Sequence, residues 1–318
     1  MEGKLPRLWL APMAGYTDTA MRALCHRMGA EGTVTEMISA KAVTYRDKKT
    51  VPLGRITPAE GTVLLQIFGR EPSVMAEAAG MLAEGYCGSR PAGIDINMGC
   101  PVPKIAGNGE GSALLREPRL CEEIVRAVRA ALPKDLPLTV KLRLGWDAGS
   151  RNVLEVADAV VRGGVSAIFL HGRTRAMMYM GEADWEMIAA VAAAVPVPVI
   201  GNGDITSAEV AVRRLAESGC YGLMVGRGAV GNPFLFREIA AAMKKEPIPP
   251  CATLAERIET ALAHLAAAIA DKGEAVAVRE SRKQIAAYIH GQPGAAAIRA
   301  AVNKATTYRE VEGILSRA

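Results

Sequence analysis

The sequence predicts an α/β protein, a (β/α)8 TIM barrel followed by a small C-terminal α-helical bundle domain. Three observations lead to this fold class: eight short apolar β-type segments alternate with helical ones, polar residues follow the β-type segments, and closely spaced prolines precede an alanine-rich tail. Strands that alternate with helices form parallel β-α units, and eight such units occupy about 250 residues in a closed barrel. An open doubly wound sheet is the alternative.

The order of the elements favours the barrel. The β-type segments are 8–11, 33–36, 63–67, 93–97, 138–142, 167–170, 198–201 and 222–226. The helical segments between them are 19–28, 72–84, 118–132, 151–162, 184–195, 207–217 and 233–243. A doubly wound sheet normally has fewer strands and a glycine-rich first turn, whereas the first turn here reads Ala11-Pro12-Met13-Ala14-Gly15.

Composition limits the class of protein. The chain has 318 residues, half of them apolar, which suits one large domain and a small one. It has no apolar run of 18 residues and no secretory segment after Met1, so we expect no membrane span. The six cysteines form no C-x-x-C pair, which argues against a metal site and disulfides and favours a reducing cytoplasm. A net charge of +5 allows an anionic partner without identifying one.

Polar residues stand at the ends of the predicted strands. The carboxyl ends of barrel strands meet at one mouth, where active sites are built, so these residues are candidates for a site. Glutamine can pair with the edge of a heterocycle, and a lysine can stabilise an anionic ring. Each residue taken alone is equally compatible with an ordinary solvated or core polar group. The strand-end residues are Pro12, Met13, Glu36, Gln66, Asn97, Lys141, Arg143, His171, Asn202 and Arg227.

Two glycine-bearing turns, 201–205 and 226–229, follow the last two predicted strands. Their backbone N–H groups can face a phosphate, and barrels often bind phosphate with these two loops. Gly226, Gly228 and Gly231 also fit the G-x-G-x-x-G pattern of dinucleotide-binding sheets. No strand with an acidic end follows at the expected distance, so we interpret the turn as a phosphate loop to which Arg227 adds charge.

Cys100 lies just beyond a short apolar strand that breaks at Gly99 and Pro101. Proline fixes φ, so the thiol is presented on a stiff turn, with Lys104 four residues further on. Such a thiol is either a positioned reagent or an ordinary small core residue, and this stretch alone leaves both open.

The tail begins at a proline-rich boundary near residue 246 and contains the predicted helices 254–272, 275–290 and 294–303, with a last one from 308. Alanine-rich helices with short links form a small bundle. Arg279, Arg282 and Lys283 have the i, i+3, i+4 spacing of one helix face. That face is either a solvated surface or a site for RNA phosphates.

Six motifs, in order, resemble those of the tRNA-dihydrouridine synthases, most closely the bacterial B-type branch. The resemblance covers residues 5–240 and, more loosely, the tail. The segment 107–111 departs from the family pattern because it lacks basic residues, and the methionine-rich segment 175–181 is either a lid or a surface loop. The motifs are Ala11-Pro12-Met13-Ala14-Gly15-Tyr16-Thr17-Asp18, Asp95-Ile96-Asn97-Met98-Gly99-Cys100-Pro101, Val140-Lys141-Leu142-Arg143, His171-Gly172-Arg173-Thr174, Gly201-Asn202-Gly203-Asp204 and Gly226-Arg227.

The resemblance implies an FMN-binding TIM-barrel catalytic domain in residues 1–245 and a helical RNA-binding domain in 246–318. It implies Cys100 as the catalytic acid. The residues implied to bind FMN are Pro12, Met13, Ala14, Gln66, Lys141, His171, Asn202, Gly203, Asp204, Gly226 and Arg227. Those implied to lie near the uridine or the RNA phosphates are Asn97, Lys104, Arg143 and Arg173, and we add Arg279, Arg282 and Lys283 from the tail.

The implied reaction is reduction of the uracil C5–C6 bond in tRNA, with NADPH as the electron donor. Hydride passes from reduced flavin N5 to C6 of the uracil. Cys100, with an ordinary thiol pKa of about 8.5, is protonated at neutral pH and supplies the proton that C5 receives. We expect a cytoplasmic, monomeric protein without metal. The alternatives are a flavin barrel that acts on a free pyrimidine-type molecule, a ribosomal RNA substrate, and a non-catalytic RNA-binding protein on an inherited barrel.

Overall fold

The computed structural model describes residues 5–317. Its strands are β1 (Leu8–Leu10), β2 (Gly32–Val34), β3 (Ile38–Ser39), β4 (Thr62–Phe68), β5 (Gly93–Met98), β6 (Leu138–Arg143), β7 (Ala167–His171), β8 (Val199–Asn202) and β9 (Gly222–Val225). Its barrel helices are α1 (Thr19–Arg27), α2 (Ala40–Thr44), α3 (Pro72–Ala83), α4 (Pro103–Ala106), α5 (Pro118–Ala131), α6 (Val153–Gly163), α7 (Trp185–Ala194), α8 (Ala208–Ser218) and α9 (Leu235–Met243). The tail contains α10 (Leu254–Lys272), α11 (Glu274–Tyr288), α12 (Ala295–Val302) and α13 (Tyr308–Leu315), and short 3₁₀ turns cover Val51–Gly54, Pro58–Glu60, Gly111–Arg116 and Arg227–Ala229.

Eight of the strands close into a parallel barrel. Their order is β2-β1-β9-β8-β7-β6-β5-β4, and β2 pairs in turn with β4 to complete the ring. The two-residue strand β3 pairs only with the end of β4 and extends the rim. This arrangement confirms the predicted (β/α)8 TIM barrel.

Each predicted strand overlaps an observed one, and the differences lie at the ends. The strand expected at 33–36 is observed at Gly32–Val34, so Glu36 stands in the loop after it. The short elements β3, α2 and α4 were not predicted, because two to five residues carry no readable periodicity.

Large side chains fill the interior of the barrel below the carboxyl ends of its strands. Trp9 and Phe169 meet edge to face with ring centroids 5.1 Å apart, and Ile200 and Met224 belong to the same cluster. A Cβ on Gly32 would lie 2.5 Å from the Trp9 ring, so only glycine admits the indole there. These side chains fill the interior, and the cavity of the barrel opens at the carboxyl ends of the strands.

The tail helices have a hydrophobic core of their own. It contains Leu265 of α10, Ile285 of α11 and Val311 of α13, and it also takes in Leu24 of α1. The helical tail therefore packs on the first barrel helix. The division at 245/246 falls in the link between α9 and α10, and the two roles assigned to its sides stay a prediction.

Within residues 5–317, every helix is too short or too polar to cross a lipid bilayer.

Candidate functional site

A cavity of about 370 Å³ opens at the carboxyl ends of the barrel strands, a size in the range of small-molecule sites. The loops after β1, β2, β5, β7, β8 and β9 line it, together with side chains of β4 and β6. The sequence-predicted residues that line the cavity are Pro12, Met13, Ala14, Gln66, Asn97, Cys100, Lys141, Arg143, His171, Arg173, Asn202, Gly203, Asp204, Gly226 and Arg227. All the residues predicted to bind the cofactor therefore meet Cys100 in one place.

The loop after β1 forms one wall and is fixed by its own hydrogen bonds. The Met13 N–H donates to Thr17 Oγ1 over 2.9 Å, and the Thr17 N–H returns a bond to the Met13 carbonyl. Gly15 turns the chain with φ at +74°, and its N–H donates to Glu36 Oε1 over 2.8 Å. The Met13 side chain is thus held on the edge of the cavity.

The opposite wall rests on an ion pair between Arg173 and Asp204. Arg173 Nη2 lies 2.8 and 2.7 Å from the two carboxylate oxygens, and the Ala183 N–H and Arg227 add bonds of 2.8 and 3.3 Å. Partial burial acts to raise the pKa of Asp204, but the bonds from Arg173 and Ala183 outweigh it and lower that pKa. The carboxylate is therefore fully used within the protein, and it aims Arg227 at the cavity.

Backbone N–H groups of the two glycine turns remain available to an anion. Those of Asp204, Ile205, Thr206, Arg227 and Gly228 donate to no acceptor within residues 5–317. A Cβ on Gly228 would lie 2.3 Å from the Ile205 carbonyl oxygen, so glycine is required for the two turns to approach. Converging free N–H groups form an anion-binding nest.

Gly226 leaves space in the cavity itself. A Cβ built on it would meet nothing closer than Ala11 and Met13, at 3.6 and 3.7 Å. A side chain here would occupy room that a bound ligand can use.

Lys141 projects from β6 into the floor of the cavity. Its Nζ donates to Asn202 Oδ1 over 3.3 Å, and Asn202 Nδ2 donates to the Met224 carbonyl over 2.7 Å. Burial and repulsion from Arg143 lower the pKa of Lys141 to about 8, against the attraction of Asp95. An ammonium carries three N–H donors, so Lys141 keeps unused donors for a ligand.

His171 is neutral. Burial, together with the positive charges of Lys141 and Arg143, lowers its pKa well below the ordinary value. Its Nε2 lies 3.3 Å from Arg173 Nη1, which has only protons to offer, so Nε2 accepts and the ring proton is on Nδ1.

Hydrogen bonds hold the turn that carries Cys100. Asn97 Oδ1 accepts from the N–H groups of Gly99 and Cys100 over 3.1 and 2.8 Å. The Cys100 carbonyl accepts from Ser112 Oγ over 2.8 Å. Burial raises the pKa of the thiol, although the Val102 N–H and the nearby positive charges act against it. The group is therefore a protonated thiol at neutral pH.

A buried carboxylate lies behind this turn. Asp95 Oδ2 accepts from Gln66 Nε2 over 2.7 Å, Asp95 Oδ1 accepts from Thr139 Oγ1 over 2.5 Å, and Gln66 Oε1 accepts from Asn97 Nδ2 over 2.8 Å. Burial raises the pKa of Asp95 to about 6, against these bonds and Lys141. Gln66, predicted to contact the cofactor, keeps one N–H and one lone pair for that contact.

Tyr179 is a lining residue that sequence reasoning did not find. Its ring centroid lies 5.4 Å from the guanidinium carbons of both Arg143 and Arg227. Arg143 Nη1 also donates to the carbonyls of Thr174 and Met178 over 2.9 and 2.7 Å. Arg143 thus ties this segment to the rim of the cavity, which the segment reaches through Tyr179. The aromatic residue within this methionine-rich stretch was the signal that could have been used.

Two residues predicted to contact RNA have partners within the protein. The Arg173 side chain is 2% exposed, and beyond Asp204 it donates to the carbonyls of Met180 and Gly181. Arg282 Nη2 donates to the Ala305 carbonyl over 2.7 Å. Arg173 therefore supports the loop after β8, and Arg282 joins α11 to the terminal helices, and these contacts engage donors that the predicted RNA contacts would use.

Of the remaining predicted RNA contacts, Asn97 and Arg143 line the cavity, whereas Lys104, Arg279 and Lys283 lie outside it. Lys104 is exposed on α4, next to the Cys100 turn, and Arg279 is exposed on α11. Lys283 Nζ stands 4.0 Å from the centroid of the Tyr16 ring, so it faces the β1 loop at the barrel mouth. The side chains of Arg282 and Lys283 thus contact different neighbours.

Comparison with solved structures gives the same class of fold. The chain resembles histamine dehydrogenase from Rhizobium sp. 4-9 with a TM-score of 0.57 at 15% identity, over 82% of this chain and 48% of that one. It resembles a variant of NCR from Zymomonas mobilis with a TM-score of 0.52 at 17% identity, over 76% and 88% of the two chains.

Sequence comparison identifies the family. Residues 9–317 match the family model described as Dihydrouridine synthase (Dus). The chain is 41% identical to tRNA-dihydrouridine synthase B of Pseudomonas aeruginosa over 302 residues, which are 94% of this chain and 88% of that protein. It is 40% identical to probable tRNA-dihydrouridine synthase 1 of Synechocystis sp., over 98% and 86% of the two chains. The chain belongs to the dihydrouridine synthase family.

Proposed function

We propose that this protein is an FMN-dependent tRNA-dihydrouridine synthase, which reduces the C5–C6 double bond of uridines in tRNA with NADPH as electron donor. The observation that carries the proposal is that a protonated thiol, Cys100, and an anion-binding nest open into one cavity of a chain in this family. A thiol and a phosphate site in one cavity suit a reaction that needs both a proton donor and a phosphorylated cofactor.

The residues present fit FMN. The free N–H groups of the two glycine turns and the Arg227 guanidinium suit a phosphate. The cavity wall at Pro12 and Met13 is apolar, as the face of a planar ring requires. Lys141 has donors without protein acceptors in the described chain, and these suit the polar edge of such a ring.

Reduced FMN, when bound, supplies the hydride for C6 of the uracil. Lys141 holds a positive charge at the cavity floor and offsets negative charge that develops on the ring. Cys100 gives its proton to C5, and the charges of Arg143 and Lys141 stabilise the thiolate that remains. The thiolate then regains a proton from water. Tyr179 and the segment around it limit the access of water from above.

Residues 246–318 form the RNA-binding part in this proposal. Turning a base out of the RNA stack costs a few kcal/mol, which phosphate contacts must offset. Arg279 and Lys283 on α11, with Lys104 beside the cavity, are exposed cations that can make such contacts. The substrate implies a cytoplasmic protein, and we propose that it acts as a monomer.

The proposal is tested with purified protein, NADPH and three substrates: unmodified tRNA, ribosomal RNA and free uridine. We expect a yellow flavin spectrum and formation of dihydrouridine, detected by mass spectrometry, with tRNA strongly preferred. Equal turnover of free uridine would favour a reductase of small pyrimidines. Preferred turnover of ribosomal RNA would identify ribosomal RNA, and not tRNA, as the substrate. A colourless protein that takes up no FMN would favour a non-catalytic RNA-binding role.

A further inference from the structure

A chain of hydrogen bonds leads from the inside of the barrel to the Cys100 turn. It begins at Asp95, whose carboxylate is 0% exposed, passes through the amides of Gln66 and Asn97, and ends at the N–H groups of Gly99 and Cys100. The bonds measure 2.7, 2.8, 3.1 and 2.8 Å, so every link is made.

The chain has a direction, and Asp95 sets it. A carboxylate has only acceptors, so Gln66 must turn its NH₂ group to Asp95 and its oxygen to Asn97. Asn97 must then present its own NH₂ group to Gln66, which leaves its oxygen for the two N–H groups of the turn. An amide of either residue turned the other way would set donor against donor.

Burying a carboxylate at this depth is costly, and ordinary packing does not require it. The partners at hand are Thr139, which donates to the other carboxylate oxygen, and the charge of Lys141, which makes no hydrogen bond to it. Of the groups that Asp95 contacts, only Gln66 continues to the reactive thiol.

We infer that Asp95 is a positioning residue that fixes the Cys100 turn at a distance, through the oriented amides of Gln66 and Asn97. Its meaning for catalysis rests on the proposed role of Cys100, because a displacement of about 1 Å at a reacting group can cost about 100-fold in rate. The reactivity of Cys100 can be measured without tRNA or NADPH, so the inference is separable from the proposed function.

The test measures the rate at which iodoacetamide alkylates Cys100 in the FMN-loaded protein, followed by peptide mass spectrometry. The background is Cys251→Ser, because Cys251 is the exposed cysteine whereas Cys25, Cys87, Cys121 and Cys220 are buried. Asp95→Leu removes the acceptor and keeps a branched side chain of four heavy atoms, and Asn97→Ala removes the last link. Thr139→Val is the matched control, since it takes a partner from Asp95 and leaves the chain to Cys100 intact.

We expect Asp95→Leu and Asn97→Ala each to raise the alkylation rate roughly fivefold or more, because each frees the turn from hydrogen bonds. Thr139→Val stays at the parent rate, and Asp95→Asn, whose carbonyl can still accept from Gln66, stays close to it. In the Asn97→Ala background, Asp95→Leu gives no further rise, because the path is already cut. With tRNA as substrate, Asp95→Leu lowers kcat.

An unchanged alkylation rate in Asp95→Leu would overturn the inference. So would a full additional effect of that variant in the Asn97→Ala background, which would show another route. If Asp95→Leu does not fold, Gln66→Met cuts the chain one residue nearer the thiol and carries the same expected rise, and an unchanged rate there overturns it equally. If the parent protein did not turn over tRNA but the variants showed the expected alkylation rates, the result would count against the proposed function and not against this inference.

Discussion

Lys272 of α10 forms an ion pair with Asp18 of the barrel, with Nζ 2.6 Å from Oδ2. Asp18 is the N-cap of α1 and stands directly after the loop that walls the cavity. At the same junction Gln284 Nε2 of α11 donates to the Tyr16 carbonyl over 2.9 Å. The tail helices therefore hold the β1 loop from outside, and the cavity depends on them.

Lys272→Met tests this junction. We expect a loss of roughly 1–3 kcal/mol in the free energy of unfolding at pH 7, since a charged hydrogen bond between partly buried groups is removed. The affinity for FMN should fall as well, because the loop after β1, which carries Met13, loses its support. Urea unfolding and FMN titration measure the two effects, with the exposed Lys134→Met as control. Equal behaviour of the two variants would contradict the role of the junction.

The Lys272–Asp18 pair also has a pH signature. Burial acts to raise the pKa of Asp18, but the bond and the charge of Lys272 outweigh it and place that pKa below 3.8. The pair's contribution is therefore complete above pH 3.8 and is lost as the pH falls through the lowered pKa. The difference between Lys272→Met and the parent protein should shrink in that acid range.

Arg173 and Arg227 both bind Asp204, yet we expect their removal to have different effects. Arg173→Met strands a carboxylate that is 33% exposed, so the loss of stability lies at the lower end of the roughly 3–5 kcal/mol typical of buried pairs. The Arg227 side chain is 57% exposed, so Arg227→Met changes stability by less than about 0.5 kcal/mol but weakens FMN binding about tenfold or more. Thermal unfolding and FMN titration of both variants check this, and an unchanged FMN affinity in Arg227→Met would contradict the phosphate role.

The two half-reactions should have different pH limits. Lys141 is charged below its pKa of about 8, so the rate of flavin reduction by NADPH should fall as the pH rises through 8. Burial raises the pKa of Cys100 above its ordinary value, so transfer to uridine, which needs the protonated thiol, should persist to higher pH than flavin reduction. Stopped-flow rates measured from about pH 6 to 10 show which half-reaction slows first as the pH rises. In Lys141→Met the fall in flavin reduction near pH 8 should be absent. If both half-reactions slowed at the same pH, the separate roles of Lys141 and Cys100 would be contradicted.

RNA binding should separate the tail cations. Arg279 and Lys283 face solvent or the barrel mouth, so Arg279→Ala or Lys283→Ala should lower the salt slope of tRNA binding by about 1 each. Arg282 is committed to the Ala305 carbonyl, so Arg282→Ala should lower stability and leave the slope nearly unchanged. Binding isotherms between about 50 and 200 mM salt measure these slopes. Slopes equal to that of the parent protein in all three variants would show that the tail does not contact the RNA.

The barrel and its cavity were predictable because both leave marks in the local sequence. Eight apolar runs end in polar residues, and parallel closure brings those ends together, so Gln66, Lys141 and Asn202 were found from their positions alone. The short elements β3 and α4 escaped because their length is below any period.

The hydrogen-bond partners of the site residues could not be predicted from the sequence, because they lie far apart along the chain. The ion pair of Arg173 with Asp204 was not predicted because the two residues lie 31 positions apart. Arg282 has the spacing of a shared face with Lys283, but which way it turns depends on the packing of α12 beside it. Asp95 reads as one residue of a strand, and only the fold shows the amides that connect it to Cys100.

The central claim is that Cys100 delivers a proton to the uracil and takes no part in the reduction of the flavin. The most direct measurement is a single turnover in which protein reduced with one equivalent of NADPH is mixed with unmodified tRNA, while flavin absorbance and dihydrouridine are followed. In Cys100→Ala we expect flavin binding and reduction like those of the parent, and a loss of most tRNA-dependent reoxidation and product. Reoxidation and dihydrouridine formation at the parent rate in that variant would contradict the account.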